Sequence, residues 1–171
     1  MKIDNLIISQ ITKKGKINVA EFIELCQFSN DGYYINHDPI GQKNDFITSP
    51  EISQMFGEII GAYLINFWEK NIQREFNLVE LGPGKGTLIE DIIRTAKINK
   101  DFLNSIKLFL IEKNEYLIEK QKKKFSKLNF KNVTWLKDFD IEDKKPLIVF
   151  SNEFFDCFPI RQFFKKNQWY E

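Results

Sequence analysis

The spacing of apolar and polar positions changes about midway along the chain. Beyond residue 75, short apolar runs alternate with longer stretches in which apolar residues recur every three or four positions. The short runs predict strands and the longer stretches predict helices. The predicted strands are 76–81, 107–111, 132–136 and 147–150, and the predicted helices between them are 87–98 and 115–127. This alternation predicts an α/β fold with a doubly wound parallel sheet, in which the fourth strand lies beside the first.

The first 72 residues are predicted to be mainly helical. Helical spacing of apolar residues predicts a helix over 2–12, and Asn18 with Glu21 has the pattern of a capping box that begins a second helix, to about residue 28. An ordered loop is expected over 30–49. Ser49 as N-cap and Pro50 as first helical residue then begin a third helix. Its apolar positions form one stripe that is expected to be buried, namely Ile52, Met55, Phe56, Ile59, Ile60, Tyr63, Leu64, Phe67 and Trp68.

The chain is therefore divided into a helical region over 1–72, with a substrate or cofactor loop, and the first half of an α/β domain over 73–171. The final segment, 161–171, is predicted to form a strand, a turn at Lys166 and Asn167, and the start of a return strand.

Composition narrows the class of protein. The chain has 171 residues, 43% of them hydrophobic and 29% charged, which is typical of one globular domain. The formal net charge of +1 gives no electrostatic reason to expect nucleic acid or membrane as a partner. Cys26 and Cys157 fit no metal-ligand spacing, so we expect two free buried thiols and no metal. With no apolar run that could cross a bilayer and no signal or transit pattern, we expect a cytoplasmic protein.

Three glycines follow the first predicted strand of the sheet and directly precede a helix. Gly82, Gly84 and Gly86 alternate with Pro83 and Lys85, and such glycines let a backbone turn tightly against a ligand. A Walker A loop requires Ser or Thr after the lysine, whereas Gly86 follows here. The spacing also differs from the dinucleotide fingerprint. A tight turn without a ligand is the alternative interpretation.

Two carboxylates accompany this loop. Glu80 precedes it, and Glu112 follows the second strand of the sheet, where it could accept both hydroxyls of a ribose. S-adenosylmethionine carries a sulfonium and an ammonium and has no phosphate, so carboxylates favour it over a pyrophosphate. Glu112 as an ordinary surface charge is the alternative. Asp138, after the third strand, either contacts the adenine amino group or is only a turn residue.

Two further polar segments are candidates. Residues 151–159 follow the fourth strand, and Glu153 or Asp156 could pair with a guanidinium or take its proton. A loop with local capping is the alternative. Residues 45–51 precede the third helix and on physical grounds alone are a plain helix cap. His37, the only histidine, is expected to be a solvated loop residue, and Lys120–Lys124 a solvated helix face.

Residues 44–58, 79–88 and 152–163, with Gly32-Tyr33-Tyr34 and Asp38-Pro39-Ile40-Gly41, together resemble the MidA-like methyltransferases, which include a mitochondrial complex I assembly factor and bacterial relatives. The resemblance covers the chain from about Asn18 onwards. It implies a class I, S-adenosylmethionine-dependent fold with helical additions in front. The sequence departs from the family at Asn44, where a glycine is usual. Asparagine tolerates a positive φ, so the same backbone conformation is expected there. Family members run about twice this length, so we expect a sheet that is incomplete at the C-terminus.

The resemblance also implies site residues and an acceptor. The expected cofactor-binding residues are Glu80, Gly82, Pro83, Gly84, Gly86, Thr87, Glu112 and Asp138. Asn152, Glu153 and Asp156 are expected to be catalytic. The expected substrate-binding residues are Asp45, Phe46, Thr48, Ser49, Pro50, Glu51 and Phe155. The implied activity is methylation of a protein arginine, with a complex I subunit as the acceptor. The other implied partner is a complementary C-terminal half or a homodimer partner. A non-catalytic assembly or dimerisation module, and a small-molecule or RNA methyltransferase, are the alternatives.

Overall fold

The computed structural model describes residues 3–36, 41 and 44–171. Contacts divide the chain into two compact units, one formed by Met1–Asp38 with Glu153–Glu171 and the other by Pro39–Asn152. The predicted boundary between two regions at residue 72 was drawn from the sequence pattern, not from contacts in space. It stays a prediction. In chain order the elements are α1 (Ile3–Lys14), α2 (Val19–Phe28), α3 (Tyr33–Asn36), α4 (Ser49–Ile52), α5 (Gln54–Asn71), β1 (Phe76–Leu81), α6 (Thr87–Ala96), α7 (Lys100–Ser105), β2 (Ile106–Ile111), α8 (Glu115–Leu128), β3 (Val133–Leu136), β4 (Leu147–Ser151), a 3₁₀ turn (Phe155–Cys157), β5 (Phe164–Lys165) and β6 (Trp169–Tyr170).

The unit formed by Pro39–Asn152 is built on a four-stranded parallel sheet. Its strand order is β3-β2-β1-β4, so the predicted position of the fourth strand beside the first is confirmed. The carboxyl ends of β1 and β2 are in register, with Leu81 opposite Ile111. The residues that follow these two strands therefore emerge side by side at one edge of the sheet.

The helices of this unit pack on one face of the sheet. Residues of α5, α6, α7 and α8 join Phe76, Leu78, Leu108 and Leu110 in a single buried core. The connections from β1 to β2 and from β2 to β3 cross the sheet in the same direction, which places their helices on the same side. The return from β3 to β4 contains no helix, and Ile141 from this connection packs on Val79 and the other residues of the opposite face.

Helix α5 differs from its prediction at its start. The predicted continuous helix is interrupted at Ser53, whose backbone is extended at φ −149° and ψ 124°, and whose hydroxyl accepts a hydrogen bond from Met55 N–H. Serine side chains compete with helical hydrogen bonds and favour caps. Ser49 was wrong as the N-cap, because Thr48 occupies that position and Ser49 is the first helical residue of α4.

The buried face of α5 also differs from the predicted stripe. Ile52, which ends α4, and Met55, Ile59 and Tyr63 of α5 are more than 60% exposed, whereas Gly57, Gly61, Leu64 and Trp68 are buried. A Cβ at Gly57 would lie 2.5 Å from Asp91 Cβ, and one at Gly61 would lie 2.9 Å from Thr95 Cβ. The two glycines let α5 approach α6 more closely than side chains would allow. Leu64 and Trp68 of the predicted stripe are buried as expected, and Phe56 and Ile60 pack against the core. Hydrophobic spacing gives glycine no weight, so the predicted stripe extended too far onto the exposed side of the helix.

The unit formed by Met1–Asp38 and Glu153–Glu171 contains the first three helices and a small hairpin. The predicted capping box of α2 is confirmed, since Asn18 Oδ1 accepts from Glu21 N–H and Glu21 accepts from Asn18 N–H. The Phe28 ring packs against Tyr34 and Phe158. Its centroid lies 6.0 Å from that of Tyr34 and 5.7 Å from that of Phe158. The predicted terminal hairpin is confirmed as β5 paired antiparallel with β6. Within the expected loop of residues 30–49, α3 was not predicted.

Candidate cofactor site

The glycine loop turns sharply from β1 into α6. Gly82, Gly84 and Gly86 have φ of +60°, +54° and +71°, values that L-residues with side chains rarely adopt. Gly82 N–H donates to the carbonyl of Ile111 at 3.0 Å, and Gly86 N–H donates to the carbonyl of Pro83 at 2.7 Å. The loop is thus fixed to the end of β2 while its backbone stays free of side chains at three positions.

Glu112 lies against this loop. Its carboxylate accepts hydrogen bonds from the backbone N–H groups of Asn114, at 3.0 Å, and of Lys113 and Gly84. Burial raises the pKa of Glu112, while these donors and the Gln121 side chain act in the opposite direction. The structure thus places the Glu112 carboxylate against the glycine loop, and its role in binding a cofactor stays a prediction.

Glu80 is the last polar residue of β1 before the loop, and its side chain is only 2% exposed. Its Oε2 atom is buried and has no hydrogen-bond partner among the described residues. Burial, together with the nearby charge of Glu112, raises the pKa of Glu80 to about 8. A buried carboxyl with an unsatisfied oxygen next to an anion is suited to a cationic ligand, whose charge would favour the ionised form. This donor and acceptor set fits S-adenosylmethionine, which is cationic at the sulfur and at the amino group.

Gln121 of α8 was not predicted to belong to the site. It is completely buried, and its Nε2 donates to the carbonyl of Gly84 at 2.7 Å. Its Oε1 accepts from Trp135 Nε1 at 2.8 Å. The sequence contains a signal that could have found it. Gln121 occupies the same helical stripe as the buried Leu117, Ile118 and Phe125, and a polar residue at an apolar position usually has fixed partners.

The segment before α5 contacts the start of α6. Thr87 Oγ1 donates a hydrogen bond to Glu51 Oε1 at 2.5 Å. The same hydroxyl accepts a hydrogen bond from Lys124 Nζ at 3.0 Å. Lys124 also forms an ion pair with Glu90 at 2.8 Å. A Cβ at Gly41 would overlap Lys85 Nζ in the glycine loop. The structure therefore brings Glu51 and Thr87 together, although they were predicted for substrate and cofactor respectively.

The remaining residues of the segment differ in exposure. Asp45, Phe46 and Ser49 are exposed, Thr48 is half-buried and Pro50 is buried. Gly41 N–H donates to the carbonyl of Phe46 at 2.8 Å, and Asn44 N–H donates to the carbonyl of Gly41 at 2.9 Å. Among the described non-glycine residues a positive φ occurs at Gln73, Asn129 and Glu153, and hence not at Asn44. The tolerance of asparagine for such a φ is not used here.

Asp138 is exposed and pairs with Lys113 Nζ at 3.2 Å, directly beside Glu112. Its predicted contact with adenine stays a prediction.

His37 lies outside the described residues. The stretch Lys120–Lys124 is only partly solvated. Lys122 and Lys123 are exposed as expected, whereas Gln121 is buried and Lys124 belongs to the contacts at Thr87.

The predicted catalytic residues fall in both units. Asn152 is half-buried and follows β4 in the unit of the sheet. Glu153, Phe155 and Asp156 belong to the other unit and are exposed, and Glu153 has a φ of +48°, which is unusual for a residue with a side chain. Their assembly with the cofactor-binding residues into one site stays a prediction.

The described residues contain no group of three or more His, Cys, Asp or Glu side chains placed to hold a metal ion. Cys26 and Cys157 are free, and each is half-buried rather than fully buried as expected. Burial and the charge of Asp156 raise the pKa of Cys157. None of the described helices is both long and apolar enough to span a bilayer.

Known proteins with similar sequences share one family. Residues 59–171 match the model of a family described as "putative S-adenosyl-L-methionine-dependent methyltransferase". The chain is 37% identical over 182 residues to the mitochondrial protein arginine methyltransferase NDUFAF7 of Bos taurus, covering 93% of this chain and 41% of the relative. It is 35% identical over 185 residues to the Homo sapiens protein of the same name, covering 95% and 42%. The chain thus spans about two fifths of the length of these relatives.

A solved structure supports the fold. A COG1565 superfamily member from Burkholderia thailandensis, crystallised with S-adenosyl-homocysteine, superposes with a TM-score of 0.69 at 17% identity, covering 86% of this chain and 40% of that one. The fold is therefore the α/β fold of class I methyltransferases, as predicted. The sequence resemblance to the MidA-like proteins is confirmed by the arginine methyltransferase relatives. The chain belongs to the family of S-adenosyl-L-methionine-dependent methyltransferases.

Proposed function

We propose that this chain binds S-adenosylmethionine at the glycine loop and Glu112 and takes part in methylating an arginine side chain of a protein. The observation that carries the proposal is the contact of the Glu112 carboxylate with Gly84 N–H, which places an acceptor for ribose hydroxyls on the glycine turn itself. The names of the relatives support the arginine acceptor.

The cofactor supplies an electrophilic methyl group on a positively charged sulfur. An arginine nitrogen would take up this methyl group and lose one proton, and S-adenosylhomocysteine would be the leaving group. Glu80 and Glu112 bind and orient the cofactor. Glu153 and Asp156 hold the guanidinium and take up the proton, with Asn152 positioning the acceptor. Most of the rate enhancement then comes from positioning and from carboxylates beside a cationic acceptor.

Aromatic side chains next to the proposed catalytic carboxylates suit a guanidinium. The rings of Phe154 and Phe158 lie 4.8 Å apart, and those of Phe154 and Phe155 lie 5.4 Å apart. Phe155 is 70% exposed. Guanidinium groups stack on aromatic faces, and Asp156 adjoins these rings in sequence. This supports Phe155 as a substrate-binding residue. The substrate-binding role of Asp45, Phe46, Thr48, Ser49, Pro50 and Glu51 belongs to the same proposal.

Calorimetry tests cofactor binding. The chain is titrated with S-adenosylmethionine and S-adenosylhomocysteine, alongside Gly84→Val and, as a control, Ala62→Val on the exposed side of α5. We expect binding by the wild type and by Ala62→Val and its loss in Gly84→Val, because valine neither adopts a φ near +54° nor leaves room for the ligand. No binding to the wild type at millimolar ligand would refute the proposal and favour a non-catalytic assembly module.

The acceptor class is tested with cofactor carrying a labelled methyl group. Label is followed in total protein and total RNA from cells that produce the chain, and the methylated residue is identified by mass spectrometry. We expect label on protein arginine, with a respiratory complex I subunit as the first acceptor to examine. Label in RNA alone would refute the acceptor. A cytoplasmic location belongs to the same proposal and is tested by fractionation of these cells.

A further inference from the structure

Gln121 is a fully buried amide within an otherwise lysine-rich helix, and it contacts the glycine loop. Its Nε2 donates to the carbonyl of Gly84, and its Cγ would lie 3.1 Å from a Cβ at Gly86. The same side chain also donates to the Glu112 carboxylate. One amide thus connects two of the three alternating glycines with the carboxylate at the end of β2.

The orientation of this amide is fixed by a second residue. Trp135 Nε1 donates to Gln121 Oε1 at 2.8 Å, so the oxygen is occupied and the NH₂ group must point to Gly84 and Glu112. The indole is itself held by packing, because its ring meets Phe125 edge-on at 5.8 Å. The donors of Gln121 therefore have one available direction, as is usual for a satisfied buried network.

We propose that Gln121, oriented by Trp135, is a positioning residue that holds the Gly84 carbonyl and the Glu112 carboxylate in the arrangement that receives the adenosine half of the cofactor. The inference rests on the proposed function for its ligand. It assigns a role to a helix that the proposed function does not use.

Other charged groups lie near Glu112 in space or next to it in the sequence. Glu80 of β1 is close enough for the two carboxylates to interact, and Lys113, beside Glu112, is paired with Asp138. Loss of the Gln121 donor removes one of the groups that oppose the effect of burial on Glu112, so the pKa of Glu112 should rise. A protonated Glu112 accepts fewer hydrogen bonds, and ligand affinity should then fall as the pH is lowered.

The first experiment measures the affinity for S-adenosylhomocysteine between pH 5.5 and 8, conditions that we choose to bracket protonation of a buried carboxyl. The variants are Gln121→Met, which keeps the length without the amide, Trp135→Phe, which keeps an aromatic ring without the donor, and the control Lys123→Met on the exposed side of α8. For Gln121→Met we expect binding weaker by about ten- to a hundredfold, the range of one hydrogen bond to a charged group, and more so at low pH. Trp135→Phe should act in the same direction, and the double variant should lose less than the sum of the two.

The second experiment needs no ligand. The carboxyl carbon of Glu112 is titrated by NMR in the same proteins, and we expect its pKa to be higher in Gln121→Met than in the wild type and in Lys123→Met. Equal pKa values would overturn the inference whether or not the ligand binds. Equal affinities with equal pH profiles would overturn it while leaving the proposed function intact. A wild type that does not bind the ligand would overturn the proposed function and the cofactor role of Gln121 together.

Discussion

The Cα of Gly57 in α5 lies so close to Asp91 in α6 that a Cβ on the glycine would come within 2.5 Å of Asp91 Cβ. The contact is with the atom nearest the Asp91 backbone, so rotation of the side chain cannot relieve it. Packing of α5 on α6 therefore depends on the absence of a side chain at this position.

From this contact we expect Gly57→Ala to destabilise the protein by about 1–2 kcal/mol, since an overpacking cost of about 1–3 kcal/mol exceeds the helix-propensity gain of alanine, at most about 1 kcal/mol. Asn66→Ala, on the exposed side of the same helix, gives the propensity change without the contact and should be neutral or slightly stabilising. Urea unfolding of both variants decides the matter. A Gly57→Ala protein as stable as Asn66→Ala would contradict the close packing.

The buried Glu80 should make stability depend on pH. Its pKa in the folded protein is about 8, against an ordinary value of 4.5. Between these two pH values the folded state therefore binds one proton more than the unfolded state. This proton contributes fully to the free energy of unfolding below about pH 4.5, and the contribution is lost as the pH rises through 8. We expect the free energy of unfolding of the wild type to fall over this range and that of Glu80→Gln to fall less, with a difference of at most about 5 kcal/mol, at about 1.4 kcal/mol per pKa unit.

Thermal or urea unfolding between pH 5 and 9 measures this difference. The exposed Glu142→Gln serves as the control and should follow the wild type at every pH. Parallel curves for wild type and Glu80→Gln would show that Glu80 titrates normally in the folded protein.

Gly86 and Gly15 form a matched pair of glycines. Both have positive φ, +71° and +78°, but a Cβ at Gly86 would lie 3.1 Å from Gln121 Cγ, whereas a Cβ at Gly15 would have no neighbour within 4 Å. We expect Gly15→Ala to lower the free energy of unfolding by about 1–2 kcal/mol, because of backbone strain alone. Gly86→Ala should lower it by more.

Calorimetry and urea unfolding test both glycine variants together. Only Gly86→Ala should weaken binding of S-adenosylhomocysteine, because only this glycine belongs to the loop. Equal losses of stability with unchanged binding in both proteins would refute the tight fit of Gly86 on Gln121.

The hydrogen bond from Thr87 to Glu51 ties the segment before α5 to the glycine-loop helix. We expect Glu51→Ala and Thr87→Ala to be coupled by about 1 kcal/mol in a double-mutant cycle, the usual net value of a part-buried hydrogen bond. The control pair is Glu58 and Gln54, whose hydrogen bond lies within one exposed helix face and should give a smaller coupling. A coupling no larger than that of the control would show that Glu51 does not hold the segment in place.

The sequence predicted those parts of the fold that depend on local chemistry. β1 was predicted with the bounds it has, and β2, β4 and α8 to within one residue at either end, because continuous apolar runs and helical spacing act over a few neighbouring residues. The capping box at Asn18 was predicted for the same reason. The six-residue helix α7 was missed, since so short an element has too few apolar positions to show a period.

Tertiary structure decided which groups meet. The sequence alone placed a carboxylate at the end of β2 and glycines at the end of β1, and parallel pairing in register then brings Glu112 to Gly84. By contrast, the buried face of α5 depends on how closely Gly57 and Gly61 allow α6 to approach. The spacing of hydrophobic residues carries no information about this approach. The role of Gln121 was equally inaccessible, because its partners Gly84, Glu112 and Trp135 are far away along the chain and become neighbours only when the sheet and helix α8 pack together.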